Sequence, residues 1–139
     1  MSPLVLALTA TLLALAVLHL AWGFGLWWPL RDERALVSAV VGVKGADRMP
    51  GPIPCLLVAG FCVVAALWPW LPPGWLRQAG LFVLADAFLL RGVMPWLRPW
   101  RRVAPQEPFA RLDRALYGPL CLLLAGGFSV LLFNGFDHA

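Results

Sequence analysis

The stretch LFVLADAFLLRGVMPWLRPWRR, residues 81–102, is a long apolar run with an acid and a base inside it and a basic segment at its end. The run is long enough for a helix to cross a hydrocarbon core of about 30 Å at about 1.5 Å per residue. An ionisable side chain near a bilayer centre costs about 2.5 to 3.5 kcal/mol on insertion scales, so it normally faces the interior of a bundle. Asp86 and Arg91 are therefore the first candidates for a functional site.

The rest of the chain has the same apolar character. Of its 139 residues 61% are hydrophobic and only 13% are charged, and the mean hydropathy is +0.79, far above that of a soluble domain. Segments apolar and long enough to span a bilayer cover residues 4–26, 53–71, 76–97 and 116–133. We therefore predict an all-α integral membrane bundle of four transmembrane helices, forming one domain over residues 1–139, with short interfacial helices.

The net charge of +4 is explained by orientation in the membrane, and no nucleic-acid partner is expected. Two loops, after the first and the third span, hold most of the basic residues: Arg31, Arg34, Lys44, Arg48, Arg98, Arg101, Arg102, Arg111 and Arg114. The loop on the other side holds only Arg77. The positive-inside rule predicts that the two basic loops are cytoplasmic and that both termini lie outside.

Each basic loop contains a predicted interfacial helix. In the first loop Asp32 is a candidate N-cap, residues 36, 37, 40 and 41 form an apolar face, and Lys44 with Gly45 is the expected stop. This helix is too short to span, so it lies flat on the membrane surface or folds over the inner mouth of the bundle. In the second loop, Trp96 and Trp100 mark the membrane interface, and a helix begun at residues 109–114 runs into the fourth span.

The cysteines predict close helix packing rather than metal binding. Cys55, Ala59, Cys62 and Ala66 follow 4-3-4 spacing and form one stripe of small side chains, which lets helices approach closely. With Cys121 they form no CxxC motif and no Cys/His ligand spacing, so no metal site and no cofactor is expected. A bis-histidine haem site is not expected within one chain, because His138 lies in the outer tail, far from His19.

The polar residues of the spans gather toward the predicted cytoplasmic side and define the candidate ligand-binding residues: His19, Trp22, Asp86, Arg91, Asp113 and Tyr117. In one interpretation they line a cytoplasm-facing pocket, where Arg91 binds an anion and His19 transfers a proton. Asp113 then orients the side chain of Arg91 or of His19. In the other they are structural, with Arg91 paired to Asp86 or Asp113. Asp86 and Arg91 lie about 140° apart around one helix, which favours partners on other helices.

Three functions are compatible with such a bundle. The first is a non-enzymatic membrane protein that binds a lipid or a small amphipathic anion through Arg91, or that serves as an accessory subunit of a membrane complex. The second is a small intramembrane isomerase or transferase acting on a lipid-like substrate, with His19 and Asp113 as acid and base. The third is an oligomeric channel or transporter. The expected partners are membrane lipids and other membrane subunits.

Three motifs carry a resemblance to known proteins: HLAWG from His19, FLLRG from Phe88 and above all FARLDRALYGPLCL from Phe109. In these motifs the chain resembles a family of small bacterial membrane proteins, the domain of unknown function 3995. Family members typically read His-x-Tyr-Trp, Leu-Arg-Ala-Val-Gly-Asp-Phe and Asp-x-x-Leu-Tyr-Ser-Pro-Leu-Cys at these places. The match carries over to these positions: His19, Trp22, Arg91, Asp113, Tyr117, Pro119 and Cys121.

The sequence departs from the family pattern just after Arg91. Met94, Pro95 and Trp96 stand where the family has Gly-Asp-Phe, so the acid expected there is missing. Either Asp86 substitutes for it or its use is lost in this chain. The resemblance implies a four-helix protein of the bacterial inner membrane and brings no activity with it.

Overall fold

The computed structural model describes residues 2–136, and four helices in that part are long and apolar enough to cross a membrane. They cover Pro3–Gly23, Pro52–Trp70, Trp75–Trp96 and Phe109–Asn134. The prediction of an all-α four-helix membrane bundle with short interfacial helices is confirmed.

The helical elements follow one another with short connections. In chain order they are α1 (Pro3–Gly23), α2 (Glu33–Val40), α3 (Pro52–Leu67), α4 (Trp75–Val93), α5 (Arg98–Val103), α6 (Phe109–Leu112) and α7 (Gly118–Phe136). Single 3-10 turns extend α3 through Trp68–Trp70 and α4 through Met94–Trp96. A π-helical turn over Asp113–Tyr117 joins α6 to α7, so the fourth span is one continuous helix.

The first span is shorter than predicted. Helix α1 ends at Gly23, and the chain turns at Gly25, whose φ of 81° is in the left-handed region that favours glycine. The backbone amide of Leu26 then donates to the carbonyl of Ala21 at 2.9 Å. Gly25 therefore ends α1 within a continuous apolar run, and hydropathy alone does not locate the end of the helix.

The bundle is built from two antiparallel helix pairs, α1 with α3 and α4 with α7. The stripe of small residues on α3 is buried, with Cys55, Ala59, Cys62 and Ala66 at most 4% exposed. Cys55 lies against Gly23 at one end of α1, and the Thr9 hydroxyl donates to the carbonyl of Ala66 at 3.2 Å near the other. The small side chains thus form the surface on which α1 packs, as the spacing predicted.

Side chains from all four spans meet in one core. Leu12, Leu81 and Phe128 are fully buried at its centre. Phe88 of α4 stacks on Phe128 of α7 with ring centroids 5.7 Å apart and planes 10° apart. Because water is absent from the lipid surroundings, this close packing, rather than a hydrophobic force between helices, holds the bundle together.

Helix α2 folds over one end of the bundle. Its N-cap is the predicted one, since the Asp32 carboxylate accepts a hydrogen bond from the amide of Ala35 at 2.8 Å. Leu36 and Val37 are each 1% exposed, so the apolar face rests on protein. Of the two placements that the sequence left open, the structure contains the one over the mouth of the bundle.

The predicted stop of α2 at Lys44 and Gly45 was wrong. The helix ends at Val40, and the chain turns at Gly42, whose φ is 65°. Gly42 lies directly against the ring of Phe109, where a side chain would overlap it, and its carbonyl accepts from the amide of Gln106 at 3.2 Å. A contact with a residue far along the chain therefore selects which glycine ends the helix.

Candidate functional site

An ion pair lies where α4 approaches the start of the fourth span, between the buried Asp113 and Arg91, whose side chain is 34% exposed. Arg91 Nη2 donates to Asp113 Oδ1 at 2.7 Å, and Asp113 is 1% exposed. The second oxygen of Asp113, Oδ2, accepts from Trp100 Nε1 at 2.8 Å, and the Arg91 guanidinium lies 5.6 Å from the centre of the Trp100 ring. We call Arg91, Trp100 and Asp113 the clamp.

Two glycines let the helices approach closely beside the clamp. A Cβ atom on Gly118 would lie 3.0 Å from the carbonyl oxygen of Gly92 and 2.9 Å from that of Asp113. On Gly92 it would lie 2.6 Å from a methyl carbon of Leu122. Side chains are thus excluded at this crossing, and the approach places Arg91, in the last turn of α4, within reach of Asp113 in the π-helical turn.

An aromatic layer joins the clamp to α2. The rings of Trp100 and Phe109 are 6.5 Å apart, and those of Phe109 and Tyr117 are 6.0 Å apart. The Tyr117 hydroxyl donates to the carbonyl of Ala39 in α2 at 3.0 Å. Tyr117 therefore fastens α2 across the end of the bundle, with its hydroxyl paired as a half-buried tyrosine requires.

His19 and Trp22 form a separate group at the end of α1. His19 Nδ1 donates to the carbonyl of Leu15 at 2.8 Å, and a carbonyl only accepts, so Nδ1 carries the proton. The His19 and Trp22 rings lie 4.9 Å apart, and Trp22 Nε1 donates to the carbonyl of Trp28 at 2.8 Å. The polar contacts of this group stay within residues 15–28, and none of them joins His19 to Asp113.

Asp86 does not face the bundle interior, contrary to the expectation for an ionisable residue in a span. It is exposed on the outer surface of α4, and the one ion pair among residues 2–136 joins Arg91 to Asp113. The physical reason is the angle of about 140° between the two positions, which turns Asp86 outward when Arg91 turns inward. Asp86 therefore does not pair with Arg91, whose partner is Asp113.

Sequence reasoning missed Trp100, which it read as a marker of the membrane interface. Trp100 is half-buried in α5, a helix that the prolines around it concealed. Hydrogen-bonding requirements could have indicated this role of Trp100. An indole N–H that is shielded from water needs an acceptor, and a buried Asp113 carboxylate has two oxygens that need donors. Hydrophobic periodicity does not show that Trp100 and Asp113, which are 13 positions apart in the chain, lie close together.

Basic side chains surround the clamp at the surface. We call the end of the bundle that carries the loops at 24–51 and 94–117 the basic end. Arg98, Arg101 and Arg102 line a depression of about 240 Å³ there. A second depression, of about 540 Å³, is lined by Glu107, Pro108, Arg111 and Arg114. Neither is lined by His19, Arg91 or Asp113, so these two openings differ from the predicted pocket.

Most of the hydrogen-bonding groups of the clamp already have partners within the protein. Both carboxylate oxygens of Asp113 have donors, and Arg91 retains one buried nitrogen, Nη1, that contacts no acceptor in the described part of the chain. Among residues 2–136 no three His, Cys, Asp or Glu side chains come together as metal ligands would. The clamp joins α4, α5 and the start of the fourth span, and the arginines of α5 are exposed beside it.

Fold and site together define a small four-helix membrane protein whose polar residues gather at one end. The chain matches the family described as protein of unknown function (DUF3995) over residues 12–128, and it belongs to that family. The matched range includes His19, Trp22, Asp86, Arg91, Asp113 and Tyr117. The chain matches no curated protein and no solved structure.

Proposed function

We propose that this chain is a non-enzymatic protein of the bacterial inner membrane whose basic end faces the cytoplasm and binds the phosphate headgroups of anionic lipids. Both termini then lie outside. The observation that carries the proposal is the attachment of α5, where Trp100 bonds to Asp113 while the exposed side chains of Arg98, Arg101 and Arg102 surround one depression.

The geometry of α5 supports lipid binding because three exposed arginines line one depression on a helix that Trp100 attaches to Asp113. Guanidinium binds phosphate oxygens through paired N–H donors, and a juxtamembrane arginine contributes about 1 kcal/mol of attraction to an anionic membrane surface. Trp96, Leu97 and Val103 are exposed next to these arginines. Apolar contacts to acyl chains and charge contacts to headgroups are thus available from one short segment.

Charge distribution supports the proposed orientation. Nine of the 11 Lys and Arg residues lie at the basic end, and a tenth, Arg91, is neutralised by Asp113. The remaining one, Arg77, lies near the opposite end, where its Nε donates to the carbonyl of Pro69 at 3.2 Å. By the positive-inside rule such a difference favours a cytoplasmic basic end.

Native mass spectrometry of the protein extracted from vesicles of phosphatidylcholine and phosphatidylglycerol tests the proposal. The native chain should retain phosphatidylglycerol in preference to phosphatidylcholine. Arg101→Gln with Arg102→Gln removes two guanidinium groups from the depression and should weaken phosphatidylglycerol retention about thirtyfold, at about 1 kcal/mol for each lost contact with the phosphate.

The matched control removes the same charge elsewhere at the same end. Arg31 and Arg34 are exposed and line neither depression. Arg31→Gln with Arg34→Gln should leave phosphatidylglycerol retention within about threefold of the native value, because these arginines contact no lipid held in the depression. Equal losses in the two double variants, or no preference for phosphatidylglycerol in the native chain, would mean that the arginines set orientation without forming a lipid site.

A further inference from the structure

The most unusual charge in the molecule is the Asp86 carboxylate. It is exposed on α4, and the span Trp75–Trp96 places it 11 residues from one end and 10 from the other. At 1.5 Å per residue, each end of the span is about 15 Å away. An aspartate side chain is too short to reach water over that distance, so the carboxylate lies in the middle of the hydrocarbon.

A lone carboxylate in hydrocarbon needs a partner, because charged residues within spans pair with one another or line a polar cavity. The other intramembrane charges of this chain are already paired, Arg91 with Asp113. The surroundings of Asp86 on its own face are apolar, with Phe82, Val83, Leu89 and Leu90 between 47% and 65% exposed. The described chain therefore offers this carboxylate no cation.

We propose that the outer face of α4 centred on Asp86 binds a transmembrane helix of another membrane protein that carries a Lys or Arg near its own midpoint. The face is suited to a helix because its exposed positions follow helical spacing: Ala79, Phe82, Val83, Asp86, Leu89, Leu90 and Val93. Small Ala79 lies two turns before Asp86, and the apolar side chains on both sides exclude water from the ion pair.

Charge complementarity distinguishes this partner from a second copy of the chain. In a two-fold dimer about the membrane normal, Asp86 would meet Asp86 at the same depth and bring two carboxylates together without a cation. His19 does not match the depth, because it lies four residues from the end of α1 at Gly23. A helix with a central cation neutralises the carboxylate, and this proposal does not depend on lipid binding at the basic end.

The test uses a synthetic single-span peptide with a leucine-rich core and one central lysine, mixed with the full chain in phosphatidylcholine vesicles. Energy transfer between labels on the peptide and on the chain measures association. The lysine peptide should bind about tenfold more tightly than the same peptide with leucine at the central position, the range of a strong interhelical polar contact. Asp86→Leu should abolish this preference without weakening binding of the leucine peptide.

Three results would overturn the proposal. One is equal binding of the two peptides to the native chain, and another is a lysine preference that survives in Asp86→Leu. The third is energy transfer between two labelled copies of the chain that Asp86→Leu removes, which would make a second copy the occupant. If Asp86→Leu fails to fold, Asp86→Asn, which has the same shape without the charge, takes its place in these comparisons and should show the reduced preference.

Discussion

At the scale of single residues, the clamp buries the Asp113 carboxylate and gives each of its oxygens a hydrogen-bond donor. Asp113 is 1% exposed and receives one donor on each oxygen, from Arg91 and from Trp100. Such a pair contributes little when compared with well-packed apolar residues of the same volume, but loss of Arg91 leaves the buried carboxylate of Asp113 uncompensated. The clamp should therefore fix the arrangement of α4, α5 and α7 more than it adds to total stability.

A double-mutant cycle tests this account of the clamp. Asp113→Leu should lower the free energy of unfolding by about 1 to 3 kcal/mol, because the Trp100 N–H and the partly exposed Arg91 lose their acceptor. Arg91→Met combined with Asp113→Leu should recover most of that loss, since neither charge then remains. Chemical unfolding in detergent micelles, followed by tryptophan fluorescence, measures both values.

Asp86→Leu is the matched control, because it removes a carboxylate of the same helix pair that contacts no donor in residues 2–136. It should change the free energy of unfolding by less than about 0.5 kcal/mol. Additive effects of Arg91→Met and Asp113→Leu would show that the two side chains are not energetically coupled.

At the scale of helices, the crossing of α4 and α7 depends on the absence of side chains at Gly92 and Gly118. Gly118→Ala places a Cβ against two backbone carbonyls and should lower the free energy of unfolding by about 1 to 3 kcal/mol. Gly126, also on α7, has open space around it, so Gly126→Ala should raise that free energy by about 0.5 to 1 kcal/mol through helix propensity. Thermal unfolding of the two variants in the same detergent compares the signs, and a stabilising Gly118→Ala would contradict the close crossing.

Much of the helical architecture could be predicted because membrane insertion imposes strong local rules. Apolar length located the spans, the 4-3-4 spacing of small residues located the surface of α3 that packs on α1, and Asp32 identified the start of α2. Each of these features depends on residues close together in the chain. The angle between Asp86 and Arg91 is also local, and it correctly argued against their pairing.

The features that could not be predicted depend on contacts between distant residues. Gly42 and Gly45 are equivalent stop signals in sequence, and only the packing of Phe109 distinguishes them. Trp100 has the same appearance as the interfacial tryptophans, and only the position of Asp113 makes it part of the clamp. Because α4 is apolar on most sides, polarity does not reveal which face turns inward, and Asp86 was assigned to the wrong one.

At the scale of the whole molecule, the two ends of the bundle differ in charge and in construction. The end at residues 71–74 is a tight turn, held by the bond from Trp68 Nε1 to the carbonyl of Arg77 at 3.2 Å. The basic end is built from α2, α5 and the start of the fourth span, fastened by Tyr117 and by the clamp. Lipid binding at this end and orientation in the membrane are then two consequences of the same charge distribution.

The four-span arrangement with a cytoplasmic basic end is tested most directly by labelling single cysteines with a membrane-impermeant maleimide in intact cells. The background replaces Cys55, Cys62 and Cys121 with alanine, and the probe positions Ser2, Lys44, Pro73 and Arg102 are all exposed. Cysteine at Ser2 or Pro73 should be labelled from outside, whereas cysteine at Lys44 or Arg102 should be labelled only after the membrane is permeabilised. Labelling of Ser2 and Arg102 from the same side would contradict the arrangement of the bundle.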